Sequence, residues 1–285
     1  MTNSPAGHTP NVVLITGTSS GIGLHAAIAA AQAGHTVVAT MRNLEGTRAL
    51  LDAADATGVT LDIRRLDVTE AQSVTEVVAG IVGRYGRLDA VVNNAGSGHL
   101  GTIENETIDQ VRAVMEVNFF GVVGVTRAAL PHLRTSHGRL ITVTSVGGVI
   151  GQPFNEAYCA AKFAVEGFME SLAPVVRSAG VSVTVVEPGA VATSFVANVG
   201  FDPTAPAAFG DPYAAGLAAY LARAGSSFAS AQTAESAGSV VAALLDGDVP
   251  PFRVQTSDAA RQFVGVKLAD LDGSAVQRLT SDRIA

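Results

Sequence analysis

Val12-Val13-Leu14-Ile15-Thr16-Gly17-Thr18-Ser19-Ser20-Gly21-Ile22-Gly23 decides the fold. Its first four residues are a short apolar run, as expected of a parallel strand buried on both faces. Three glycines follow in the spacing Gly-x-x-x-Gly-x-Gly, and an Ala-rich stretch then reads as a helix to about Ala33. Glycine permits the tight turn and lets backbone N–H groups approach a phosphate at a helix N-terminus. A strand, a glycine turn and a helix in that order are the setting a dinucleotide-binding turn requires. The first gap is one residue longer than in the usual fingerprint, so the turn alone is also compatible with one that binds nothing.

The alternation continues along the chain. Thr36–Thr40, Ile63–Asp67, Ala90–Asn93, Leu140–Ser145, Val181–Val186 and Phe252–Val254 read as strands. Helical patterns begin near Thr69 and cover about 108–133, 155–178 and 233–246. This βαβα order predicts an α/β fold, a doubly wound, mostly parallel sheet with helices on both faces. With no repeat and no linker, residues 11–285 are expected to form a single domain. Residues 190–230 differ, carrying Pro203, Pro206 and Pro212, many Ala and Gly, and Phe195, Phe201 and Phe209. They are expected to form an apolar lid over the ligand crevice, helical near 213–224. Residues 1–10 are polar and Pro-rich and read as a disordered arm, not a signal peptide.

The bulk numbers narrow the classes. The 285 residues are 48% hydrophobic and 15% charged, which suits a sheet covered on both faces by tightly packed helices. No uninterrupted apolar run reaches the ~20 residues of a membrane span. The net charge is -7 and no basic tract is present, which argues against nucleic acid as a partner. One cysteine excludes an internal disulfide and suits a reducing cytoplasm, the expected location. The six histidines show no metal-ligand spacing, and no metal is expected.

Tyr158 and Lys162 stand four residues apart, so on a helix they project from one face. A free tyrosine has a pKa near 10, and a neighbouring ammonium is expected to lower it toward that of a useful general base. Ser145 closes the strand Leu140–Ser145, where open α/β sheets place ligand groups. These three residues suit proton management at a carbonyl. Cys159, beside Tyr158, reads as a small packed residue, and His99 as a solvated loop residue.

Taken together the motifs resemble those of the short-chain dehydrogenase/reductase family, in its single-domain Rossmann-type subgroup. Thr16–Gly23 is similar to the family's glycine turn, and Asn93-Asn94-Ala95-Gly96 to its motif after the fourth strand. Asn118, Ser145, Tyr158 and Lys162 follow the order and spacing of its catalytic tetrad. Pro188-Gly189 with Thr193 resembles its Pro-Gly-x-x-x-Thr stretch. The resemblance is firm over about 10–200 and loose beyond.

It implies Tyr158 as acid and base, Lys162 as its electrostatic partner and ribose ligand, and Ser145 as donor to the substrate oxygen. It also implies that Asn118 holds a relay water, although its sequence context alone is equally that of a buried helix residue. For the cofactor it implies contacts from Gly17, Ser19, Ser20, Gly21, Ile22 and Gly23, from Asn94, Ala95 and Gly96, and from Pro188, Gly189 and Thr193. Asp67 and Val68 resemble the adenine contacts, although Asp67 also suits a cap before Thr69. Met41 falls about where NAD-using members place an acidic residue, and Arg42 suits a 2′-phosphate, so NADP is expected over NAD. Ser19 and Ser20 stand where many NADP users carry a basic residue. The resemblance implies an oxidoreductase working between NADP(H) and a carbonyl or secondary alcohol of a small, apolar substrate, with a weaker likeness to the steroid- and retinoid-type branch; the alternatives are an NAD-preferring dehydrogenase of the same fold and a dinucleotide-sensing protein without turnover. It also implies a homodimer or homotetramer through helices 108–133 and 155–178.

Overall fold

The computed structural model describes residues 10–193, 211–229 and 231–282. The arm before Pro10 and the lid stretch carrying Phe195, Phe201 and Phe209 lie outside the described residues. Seven strands, β1 (Val12–Thr16), β2 (Thr36–Met41), β3 (Asp62–Arg65), β4 (Ala90–Asn93), β5 (Arg139–Val143), β6 (Ser182–Glu187) and β9 (Arg253–Gln255), form one sheet in the order β3-β2-β1-β4-β5-β6-β9. Every pair in it is parallel. A second sheet, β7 (Val191–Ala192) with β8 (Gln232–Thr233), is only two residues long in each strand.

The strand pattern explains the layering. Val12 and Leu14 of β1 point into one core with α3 (Ala71–Tyr85), α5 (Gly121–Ser136) and α6 (Glu156–Arg177). Val13 and Ile15 point into the opposite core with α1 (Gly21–Gln32), α2 (Arg48–Thr57) and α8 (Ala234–Ala243). An alternating strand with both faces apolar is therefore buried on both sides. Chain order reverses between β1 and β4, and the crevice at the carboxyl ends of those strands is where such sheets bind ligands. The sequence spacing finds all seven strands of the large sheet but passes over the two-residue strands β7 and β8 and over α2, which buries only Leu50 and Ala54.

The expected helix over 108–133 is a rod in three parts: α4 (Ile108–Met115), a π-helical turn (Glu116–Phe120) and α5. By length and composition it could cross a bilayer; Val122, Val125, Ala129 and Leu133 of α5 instead pack against the sheet. The lid's described part is α7 (Asp211–Ala229), which sets Leu217 against Phe154, and the tail is two helices, α9 (Asp258–Leu268) and α10 (Ser274–Ser281).

Helices α1 and α8 lie unusually close because Gly238 has no side chain. A methyl group there would come within 2.7 Å of the Ala26 backbone nitrogen. Helix propensity alone favours Ala over Gly by ~1 kcal/mol. Gly238→Ala is nevertheless expected to destabilise the protein by ~1–3 kcal/mol through overpacking. Urea denaturation checks this, and a stabilised variant would contradict the packing.

Candidate active site

The glycine turn is shaped from β4. The Thr16 hydroxyl accepts the N–H groups of Asn94 and Ala95, each at 3.0 Å. The Asn94 amide donates back to the carbonyls of Thr16 and Gly17, each at 2.9 Å. Gly17 has φ +72°, and a methyl group on it would lie 2.7 Å from the Ala95 Cα. A methyl on Gly23 would fall 2.3 Å from the Asn94 amide nitrogen. Backbone therefore approaches backbone here as a phosphate cradle requires. Helix α1 begins at Gly21 with no acidic residue in its first turn and no capping bond from Ser20, so its positive end suits an anion. Thr193 lies over this turn, its methyl 3.1 Å from where a side chain on Gly21 would begin. These features fit a dinucleotide pyrophosphate.

Arg42 is exposed at the end of β2, while Met41 is only 3% exposed and packs in the core beside α1 and α2. Position 41 therefore faces inward, contrary to its expected place beside the cofactor ribose. Asp67 accepts the Thr69 N–H at 3.0 Å and the Thr69 hydroxyl at 2.7 Å, so it closes a turn; the helix after it is capped at Glu70. Burial acts to raise the Asp67 pKa, and the Thr69 hydrogen bonds together with the nearby Arg42 and Arg65 charges outweigh it, leaving it lowered. Arg42 and Asp67 thus share one electrostatic neighbourhood. Val68 packs where a methyl on Gly121 would meet it at 2.7 Å.

Tyr158, Ser145, Lys162 and Asn118 converge beyond the carboxyl ends of β4 and β5. Strand β5 ends at Val143, and Ser145 caps the short 3₁₀ turn 146–148, its hydroxyl accepting the Gly147 N–H at 3.0 Å. The same hydroxyl is hydrogen-bonded to the Tyr158 phenol. Lys162 is 4% exposed and donates to the Val143 carbonyl at 3.2 Å, with its ammonium 5.8 Å from the Tyr158 ring centre. Asn118 sits in the π-helical turn, donates to the carbonyls of Ser97 at 3.0 Å and Val114 at 3.1 Å, and accepts the Ser97 N–H at 3.2 Å. A methyl on Gly96 would lie 2.9 Å from Asn118 Oδ1 and 3.5 Å from Lys162 Nζ, so both residues border the same space. Pro188 accepts the Val146 N–H at 3.0 Å, which holds the Pro188-Gly189 stretch beside Ser145.

Burial dominates the electrostatics. It pushes the Tyr158 phenol well above the ordinary tyrosine range, against the pull of the Ser145 hydrogen bond. The expected lowering by Lys162 is overturned here, because removing the phenolate from water outweighs an ammonium that lies beside the ring. Burial also lowers Lys162 to about 8, with the Glu166 charge acting in the other direction. Cys159 is buried and pushed up to about 11, which fits a packed residue and not a nucleophile. His99 is more engaged than a solvated loop residue, pairing with buried Glu106 at 2.7 Å. The sequence held no local signal for that pair. No cluster of metal-binding side chains occurs among the described residues.

Residues 11–203 match the family model described as short chain dehydrogenase. The chain belongs to the short-chain dehydrogenase family. It is 44% identical over 193 residues to 17-beta-hydroxysteroid dehydrogenase type 1 of Mus musculus, covering 65% of this chain and 56% of that protein. The chain thus spans little more than half the length of that relative. Retinol dehydrogenase 8 of Bos taurus is 35% identical over 285 residues, covering 94% of this chain and 88% of that protein. A short-chain dehydrogenase from Streptomyces avermitilis superposes with a TM-score of 0.74 at 29% identity, covering 96% of this chain and 99% of that one. A variant of actinorhodin polyketide ketoreductase solved with NADPH gives 0.70 at 27% identity, covering 86% and 95%. The seven-stranded parallel sheet is the Rossmann-like sheet of this family.

Proposed function

We propose that this protein is an NADP(H)-dependent dehydrogenase/reductase acting on the carbonyl or secondary alcohol of a small, apolar substrate. The observation that carries this reading is the Ser145–Tyr158 hydrogen bond, with Lys162 buried beside it at the sheet's switch point. Bound NADP(H) supplies or accepts the hydride. The glycine turn from Gly17 through Ser19, Ser20, Gly21 and Ile22 to Gly23 holds its pyrophosphate. Asn94, Ala95 and Gly96 would flank the nucleotide, Asp67 and Val68 would border the adenine, and Pro188, Gly189 and Thr193 would complete the cofactor's seat, Thr193 from beside the glycine turn. Lys162 would bind the ribose and, while protonated, would steady charge arising on Tyr158. In reduction the Tyr158 phenol gives its proton to the substrate oxygen while Ser145 donates a hydrogen bond to it. Oxidation reverses both, and Asn118 serves the proton path behind Lys162.

Relatives named for a hydroxysteroid and for retinol support a lipophilic substrate. The apolar cluster of Phe154 and Leu217 with Leu100, Tyr213, Tyr220 and Leu221, beside the site, supports it too. A second reading, NAD preference, is favoured by one observation: the Asp67 carboxylate beside Arg42 partly offsets the charge that would attract a 2′-phosphate.

A symmetric oligomer is also part of the proposal. Of the small and apolar residues of α6 expected at its interface, Ala161 and Val165 are fully buried within their own chain, Ala164 and Phe168 are half-buried, and Ala160 is exposed. We place the contact along the outer edge of these helices, where Phe120 is 51% exposed and stacks edge-on to Phe119, which meets the expected Phe168 in turn. Light scattering at micromolar concentration is expected to show a dimer or tetramer, and a monomer would contradict it.

Tyr158→Phe should lower kcat by at least ~10²–10⁴-fold, with cofactor affinity retained. Because the phenol is protonated at neutrality, reduction should be level from about pH 6 to about pH 8 and fall above as Lys162 loses its proton. Oxidation needs the phenolate and should rise across the same range. A reduction rate that climbs with pH, or a Phe variant retaining a tenth of the turnover, would contradict the assignment. Estradiol and retinol are the first substrates to assay.

Arg42→Ala isolates cofactor choice, since an acidic residue at position 41 would be buried. Loss of a charge-assisted contact worth ~1.5–3 kcal/mol should cut kcat/KM for NADPH about 10–100-fold and spare NADH. The wild-type preference should weaken with salt, because Arg42 is exposed. An unchanged ratio of the two cofactors would leave Arg42 a surface residue.

A further inference from the structure

One carboxylate lies deep beside the reacting groups without a part in the chemistry above. Glu166 follows Lys162 by one turn of α6 and is 4% exposed. Its Oε1 receives the Thr144 hydroxyl at 2.5 Å, and its Oε2 receives Arg253 Nη1 at 2.5 Å. Thr144 stands between two residues of the site. On one side the Val143 carbonyl accepts Lys162 Nζ, and on the other Ser145 is bonded to Tyr158. The stem of Glu166 also borders the 3₁₀ turn that Ser145 caps, since a methyl on Gly148 would lie 3.1 Å from its Cγ.

We propose that Glu166 is a positioning residue of this site. Through Thr144 it ties the step Val143-Thr144-Ser145 to α6, so that Ser145 stays against the Tyr158 phenol and the Lys162 ammonium against the Val143 carbonyl. The proposal rests on the catalytic reading of Ser145, Tyr158 and Lys162 given above.

The surroundings show how the tie is held. Arg253 of β9 reaches Glu166, Glu187 of β6 at 3.0 Å and Glu170 of α6 at 2.5 Å. Gln255 completes Glu187 at 2.8 Å. One guanidinium thus serves three carboxylates and clamps the edge strand to α6. Charges facing Glu166 are Lys162 and Glu170 on its own helix, Glu187 from β6 and Arg253 from β9. Burial raises Glu166 to about 7, opposed by the Thr144 hydrogen bond, assisted by the Glu187 charge and opposed again by Arg253. The Thr144 hydroxyl is also 3.0 Å from the Val186 carbonyl, and its single hydrogen cannot fully serve both acceptors. Protonated, Glu166 donates to Thr144, whose hydrogen then turns to Val186. Ionised, it accepts from Thr144 and favours the charged form of Lys162. Either way the tie remains, and only its charge changes.

The test uses Glu166→Gln, which removes the charge but keeps an acceptor, and Thr144→Val, which removes the hydroxyl but keeps the branched shape. Lys162 and Lys267 are the two lysines of the chain, so lysine side-chain NMR on labelled full-length protein reads Lys162 alone once Lys267→Arg assigns the other. Tyr158 is one of four tyrosines, and its Cζ signal is assigned with Tyr158→Phe. Glu166→Gln should move the Lys162 titration from about 8 to lower pH. Loss of a nearby opposite charge shifts such a group by about one pH unit. Thr144→Val should move the Tyr158 Cζ signal and lower kcat roughly tenfold, with KM for NADPH held within about twofold and with recovery in Thr144→Ser. An unmoved Lys162 titration in the first variant together with a wild-type Tyr158 signal in the second overturns the proposal. So does a loss of turnover and thermal stability with neither spectral change, which would mark Glu166 as structural only. A Tyr158→Phe protein that still turns over would sink the catalytic reading instead and leave the two spectral results standing.

Discussion

The site depends on one hydroxyl. Thr16 ends β1 and receives two backbone N–H groups from the residues that follow β4. Those strands are neighbours in space and separated by more than seventy residues in sequence. The bond therefore closes the crevice where the chain order reverses, and the Asn94 amide closes it a second time from the other side. With both ties in place, glycine is required at positions 17 and 23, because there is no room for a β-carbon between the two strand ends. A buried hydrogen bond contributes only about 1 kcal/mol net. Here its larger effect is geometric, since it fixes where a helix N-terminus and its phosphate cradle sit.

The second organising influence is desolvation. Tyr158, Lys162 and Glu166 lie along one face of α6 and are all buried. Burial favours the neutral form of each, moving the phenol and the carboxylate up and the ammonium down. The neighbouring charges and hydrogen bonds offset part of this without reversing it. Lys162 and Glu166 are thereby brought toward neutrality, while the Tyr158 phenol is held in its protonated form.

Much of this was legible in the sequence because it is written locally. The strand-turn-helix opening, the four-residue step from Tyr158 to Lys162 and the alternation of apolar runs each fit within a short window, and each appears in the structure where its spacing puts it. What escaped is long-range or polar. Helix α2 is short and buries only Leu50 and Ala54, too few apolar positions to mark a repeat. The inward turn of Met41 depends on what α1 and α2 leave for it to fill. The raised Tyr158 phenol depends on burial that no pair spacing reveals. The contact of Thr144 with Glu166 spans 22 residues, and that of Arg253 with Glu166 spans 87, so only the folded chain brings them together. The His99–Glu106 pair spans seven residues across an irregular loop, where no periodicity exists to read.

The π-helical turn at Glu116–Phe120 places Asn118 inside a rod that is otherwise α-helical on both sides. An α-helix advances about 100° per residue. A π turn holds one residue more than an α turn, so removing a single residue from it would restore regular winding and leave the facing of α5 almost unchanged. Val122, Val125, Ala129 and Leu133 would keep their places against the sheet, and the widened turn that seats Asn118 would be lost. The irregularity thus serves the amide of Asn118, which it sets between Ser97 and Val114, and not the α5 core. A one-residue deletion here would cost the seat of Asn118 and spare the core around it.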